Sequence, residues 1–126
     1  MAAREFPRTL RLNTQLREEL AILIRDSLSD PRVTGVTITS VDVAPDLRSA
    51  RVRASVLGDD ARLAVAVAGL NRAAGRLRSA LSKRLHLRRV PELRFEADGA
   101  LRQAERVSAL IRKVTRRDAD EAAGDD

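Results

Sequence analysis

Between Asn71 and Pro91 the chain reads NRAAGRLRSALSKRLHLRRVP, a stretch with seven basic residues and no acidic one. Residue types and spacing of this kind can hold a polyanion. Arg72 and Arg76 stand four apart, as do Arg84 and Arg88. On one helix face each such like-charged pair costs a few tenths of a kcal/mol. Gly75, in the middle of the pattern, costs about 1 kcal/mol relative to alanine. A bound phosphate backbone turns that repulsion into attraction. A helix break at Gly75 would also free backbone N–H groups, which favour anions. A kink that relieves packing, with the arginines simply solvated, accounts for the same residues without a ligand, and both readings stay open from composition alone.

Other chemistry is poorly supplied. His86 is the single histidine and there is no cysteine, so metal clusters, disulfides and a Ser-His-Asp triad lack their parts; His86 reads as a helix-end residue. Asp42 and Asp46 bracket a turn and suit local backbone bonding. Ser79 and Ser82 have no candidate base near them in sequence. No Gly-rich phosphate loop and no GxSxG is present. The sequence points to no catalytic residue, no metal, no cofactor and no small-molecule substrate.

The elements that must position the basic stretch follow from periodicity. Leu12, Leu16, Leu20, Leu23 and Ile24 predict a helix over about 9–28, capped by Thr9 or Asn13 and stopped by SDPR at 29–32. The segment 33–43 is β-branched, with apolar parity that changes between Val36/Ile38 and Val41/Val43, which predicts a bulge. SARVRASVLG alternates Ala50, Val52, Ala54 and Val56 inward against Arg51 and Arg53 outward, as a half-buried antiparallel strand does. A long helical region covers 58–85, capped by Asp59 or Asp60, with Leu63, Val67, Leu70, Ala74, Leu77 and Leu81 on one narrow face and Arg72, Arg76, Ser79 and Lys83 opposite. VPELRFEA at 90–97 predicts a third strand with Leu93, Phe95 and Ala97 inward, and Asp98 is a cap for a last helix over about 100–114. The order α-β-β-α-break-α-β-α predicts an α+β domain, a three-stranded sheet with helices on one face. The domain is expected over 9–116, between an N-terminal basic arm (1–8) and an acidic disordered tail (117–126).

Charge supports a polyanion partner. The nine residues after Arg117 carry five acids, so residues 1–117 hold 24 basic against 13 acidic residues, a net +11. With only Phe6 and Phe95 as aromatics, base stacking on an aromatic sheet is not expected, and a backbone-gripping mode through helix ends and arginines is. No apolar run reaches the roughly 18 residues of a membrane span, and the opening MAAREFPRTLRL has no signal-peptide apolar block. A cytoplasmic protein with no membrane partner is expected.

Taken together, RLNTQLREELAILIRDSLSDPRV, VTITSVDVAPDLRSARVRASVLG and LNRAAGRLRSALSKRLHLRRVPELRFEAD, over about residues 8–114, resemble bacterial ribosome-binding factor A. The resemblance implies a KH-like fold, related to type II KH domains, in which an Ala-x-Gly helix kink replaces the GXXG clamp. Ala73-Ala74-Gly75 would be that kink, a junction of two helices. It implies a noncatalytic factor for small-subunit (30S) assembly, acting on immature particles and 16S rRNA and assisting rRNA maturation, including 5′-end processing. The RNA-binding residues expected are Arg72, Ala73, Ala74, Gly75, Arg76, Arg78, Ser79, Lys83, Arg84, Arg88 and Arg89, in a protein expected to be a monomer. One departure is DGA at 98–100, where the family usually has a serine shortly after the aspartate; that weakens one cap. A protein-interaction module, binding an acidic partner through the helical groove or the Arg51/Arg53 face, is the alternative. Membrane attachment through the basic helix is disfavoured, because its apolar face is a narrow Leu/Ala/Val stripe suited to a core.

Overall fold

A computed structural model of the chain describes the backbone of residues 2–124 and the side chains of residues 8–117. Seven elements follow one another: α1 (Ala2–Ser27), a 3-10 turn (Pro31–Val33), β1 (Thr37–Val43), β2 (Ser49–Ser55), α2 (Asp60–Leu85), β3 (Glu92–Ala97) and α3 (Gly99–Gly124). The sheet order is β1-β2-β3. β1 and β2 form an antiparallel pair, and β3 runs parallel to β2. A parallel neighbour needs a crossover, and α2 is that crossover.

Apolar periodicity sets the layers. Leu16, Leu20, Leu23 and Ile24 of α1 are buried, as are Leu70, Ala73, Leu77 and Leu81 of α2. They meet Val41 and Val43 of β1, Ala50, Val52 and Ala54 of β2, and Leu93 and Phe95 of β3 in one core. The expected parity change in β1 is a real bulge: the register shifts between Ile38 and Ser40. All four inward residues expected of the second strand, Val56 included, are buried. Of the three expected in β3, Ala97 is exposed, at the last residue of the strand. The sheet's other face is lined by charge that pairs with itself, with Arg53 on both Asp42 and Glu96, and Arg51 on Glu96.

An asparagine side chain bonds the backbone of each outer strand. On β3, Asn71 Nδ2 donates to the Phe95 carbonyl (3.0 Å) and Asn71 Oδ1 accepts from the Phe95 N–H (2.9 Å). On β1, Asn13 Oδ1 accepts from the Val43 N–H at 2.9 Å. Asn13 is therefore not a helix cap. α1 begins at Ala2, ahead of both expected caps, so the backbone of the expected N-terminal arm is helical; the side chains before Arg8, Phe6 among them, lie outside the described residues.

Two further expectations change. The break at Gly75 is absent: α2 is a single 26-residue helix, about 39 Å long at 1.5 Å per residue. Leu70 and Ala73 before the glycine and Leu77 after it are all buried, and that packing outweighs the roughly 1 kcal/mol propensity cost of glycine. The buried stripe of α2 also lies toward Ala66, Gly69 and Ala73, while Val67 and Ala74 are only partly buried. Gly69 is the glycine that packing requires: a Cβ there would stand 3.0 Å from Val33 Cγ1.

The last helix continues past Val114 to Gly124, and the side chains of the acidic tail lie outside the described residues. Its apolar side does not join the core. Every residue from Gln103 to Arg117 is exposed, with Leu110 and Ile111 61% and 59% accessible. α3 is held at its base instead. Asp98 Oδ1 accepts from the Leu101 N–H (2.8 Å) and its Oδ2 from Thr39 Oγ1 (2.6 Å). Arg102 and Arg106 both pair with Asp60, and Arg102 also donates to the Gly58 carbonyl.

Candidate nucleic-acid interface

α2 is fixed at both ends by local chemistry. Asp59 is its N-cap, accepting from the Arg62 N–H at 2.8 Å. At the other end His86 takes the left-handed conformation (φ 51°) and stops the helix. Part of the basic run has a structural reason, since Lys83 and Arg84 in the last turn complement the helix dipole. Between the caps, the Asn71 bracket and the buried leucines set the rotation of the helix, and its outer face goes to solvent.

The expected RNA-binding residues divide by what they touch. Arg72, Gly75, Arg76, Ser79 and Lys83 are exposed on α2. Neither Arg76 nor Lys83 makes a hydrogen bond or ion pair among the described residues. Arg72 only acts through space on Asp30, whose carboxyl is held below its usual range chiefly by the Arg32 side chain. Ala73 is 4% exposed and belongs to the core, so it is not available to a ligand; Ala74 is half-buried. Arg78 is engaged, its Nε donating to the Val90 carbonyl at 2.8 Å, where it ties α2 to the approach of β3. Arg84 pairs with Glu19 of α1. A free cationic face thus remains around Gly75, a position where an added Cβ would have no neighbour within 4 Å and where φ is not positive. Neither packing nor backbone conformation requires glycine there.

Arg88 and Arg89 lie elsewhere, in the loop after α2. There they line a cleft of about 880 Å³ with Arg8 and Arg11 of α1. The lining is completed by Leu12, Leu47 and Leu87, which are half-buried and form its floor, and by the exposed Gln15 and Asp46 at its rim. Arg8 and Arg11 are not among the residues expected from sequence. Their one local signal is the i, i+3 spacing with Leu12 beside them, and only the fold brings them to the α2–β3 loop.

The family model for ribosome-binding factor A matches residues 8–111, which span α1 through the first half of α3. The chain belongs to the ribosome-binding factor A family. The ribosome-binding factor A of Thioalkalivibrio sulfidiphilus is 45% identical over 123 residues, covering 98% of this chain and 95% of the relative. That of Halorhodospira halophila is 47% identical over 122 residues, covering 94% and 95%. Among solved structures, the crystal structure of ribosome-binding factor A from Thermus thermophilus superposes with a TM-score of 0.63 at 31% identity, covering 71% of this chain and 94% of that one. A Thermus thermophilus homology model fitted into the cryo-EM map of a complex of the 30S particle with that factor gives 0.56 at 30% identity, covering 67% and 88%. The α+β, KH-like fold expected from the resemblance stands, with the helix through Ala73–Gly75 continuous. The missing serine at 98–100 leaves no open cap, because Asp98 itself caps α3 by accepting from the Leu101 N–H in its first turn.

Proposed function

We propose that this member of the ribosome-binding factor A family is a noncatalytic assembly factor of the small ribosomal subunit. It binds immature 30S particles through 16S rRNA and assists rRNA maturation, 5′-end processing included, in the cytoplasm and as a monomer. The observation that carries this reading is the face of α2 around Gly75. Arg72, Arg76 and Lys83 are exposed there without ion-pair partners among the described residues, on a segment that holds no acid from Asn71 to Pro91. Cations left unpaired by the fold are suited to phosphates. The alternative, an acidic protein partner on the Arg51/Arg53 face, has less to work with, since both arginines already pair with Glu96. No helix among the described residues is long and apolar enough to cross a membrane.

Sedimentation with purified small, large and joined subunits at two salt concentrations tests the reading. Co-sedimentation with the small subunit alone, weakened by salt, is expected. About five phosphate contacts on single-stranded-like RNA give a log–log salt slope near −3.5. Arg72→Glu combined with Arg76→Glu should abolish pelleting while leaving the circular dichroism melt unchanged. Equal association with all three particles, or a double variant that still pellets, would sink the proposed surface.

A further inference from the structure

Arg8, Arg11, Arg88 and Arg89 converge on one cleft from α1 and from the α2–β3 loop. All four are exposed, and none makes a hydrogen bond or ion pair among the described residues. The rim's one acid, Asp46, has Oδ1 engaged with the Arg48 N–H at 3.0 Å. The fold therefore gathers like charges without neutralising them, which is costly unless an anion shares the site. One strained backbone position lies at the same place. Among the described residues, only Leu47 (φ 62°) and His86 (φ 51°) are non-glycine residues with positive φ. Leu47 lines the cleft and His86 immediately precedes Leu87, which also lines it. His86 has its reason in ending α2, whereas Leu47 is a strained residue in the cleft lining itself, and strain of that kind collects at binding sites.

We propose that this cleft holds a short segment of single-stranded RNA, with phosphates among the four arginines and one unstacked base on the leucine floor. The inference rests on the RNA-binding reading above but names a second site, distinct from the Arg72/Arg76 face. A duplex keeps its bases inside the stack and cannot present one to a recessed floor, whereas a single strand can. The volume suits a nucleotide-sized occupant, pockets for small ligands being roughly 300–1,000 Å³. The side-chain oxygens of Asp46 and Gln15 at the rim are acceptors suited to a 2′-hydroxyl or an exocyclic amine. An acidic peptide would bring further acceptors to Asp46, and an anionic membrane calls for protruding apolar residues, while the floor leucines are half-buried.

The test is fluorescence anisotropy with a labelled single-stranded RNA hexamer, an abasic hexamer of equal charge, an RNA duplex and hexaglutamate, using the full chain. The hexamer is expected to bind at least threefold more tightly than its abasic counterpart and than the duplex. Arg11→Gln with Arg88→Gln should weaken it at least tenfold, and Arg72→Gln with Arg76→Gln should weaken it less. Equal affinity for hexamer and abasic hexamer, an unchanged double variant, or hexaglutamate binding as tightly as RNA each overturns the proposal. Small-subunit sedimentation run in parallel separates the two readings. If pelleting persists while the hexamer result fails, only the cleft falls; if pelleting is also lost, the assembly-factor reading falls with it.

Discussion

Two glycines on α2 differ in what the fold requires of them. At Gly69 an added Cβ meets Val33 Cγ1 at 3.0 Å, and Val33 is a buried, stiff β-branched residue. Gly69→Ala should destabilise the domain by roughly 1 kcal/mol, as overpacking does, read as a lower melting temperature. Gly75 has open space and helical backbone. Gly75→Ala should raise stability by up to about 1 kcal/mol, and if RNA approaches the backbone there it should bind the small subunit more weakly. A stabilised variant with undiminished binding would remove Gly75 from the interface. Sequence singles out Gly75 because propensity is local, whereas the need for Gly69 comes from the 3-10 turn thirty-odd residues upstream and only packing exposes it. Asp98 is legible as a cap for the same local reason. Its bond to Thr39 across the sheet is not, and Asp98→Ala should cost about 1–2 kcal/mol by losing both partners.

Elements are most legible where one face is buried. The alternation of β2 and the bulge of β1 follow from a period of two against a core, and a slip of one residue would turn the buried set outward and the arginines inward. The apolar period of α2 runs through Gly75, and the break allowed there, which the family resemblance makes a junction of two helices, does not form because glycine propensity is weak beside the burial of Leu70, Ala73 and Leu77. α3 is the reverse case, an amphipathic pattern without a core to receive it. Its ties to the domain are at the base, through Asp98, Arg102 and Arg106. Amide hydrogen exchange should therefore find strong protection along α2 and little in α3 from about Val107 onward. Uniform protection of both helices would show that α3 is packed in solution.

The cleft is a property of the whole molecule, since residues some eighty positions apart meet there and no local pattern announces it. Stability against pH also belongs to this scale. Asp98 is held below the usual carboxylate range first by Thr39 and then by the Leu101 N–H, Asp60 by Arg102 and Arg106, and Asp30 by Arg32. Carboxylates with depressed folded-state values contribute stability above their unfolded value, near 3.9, and lose it as pH falls through the lower folded values. The melting temperature should be flat around neutrality and drop below about pH 4, less steeply in the Asp98→Ala variant. The asparagine brackets on the outer strands bear on how copies of the chain behave toward one another. A three-stranded open sheet offers two rows of backbone donors and acceptors to any passing strand. Asn71 occupies both backbone groups of Phe95 in the middle of one row and Asn13 the Val43 N–H at the end of the other, so a strand arriving at either of those positions would first have to displace a side-chain amide.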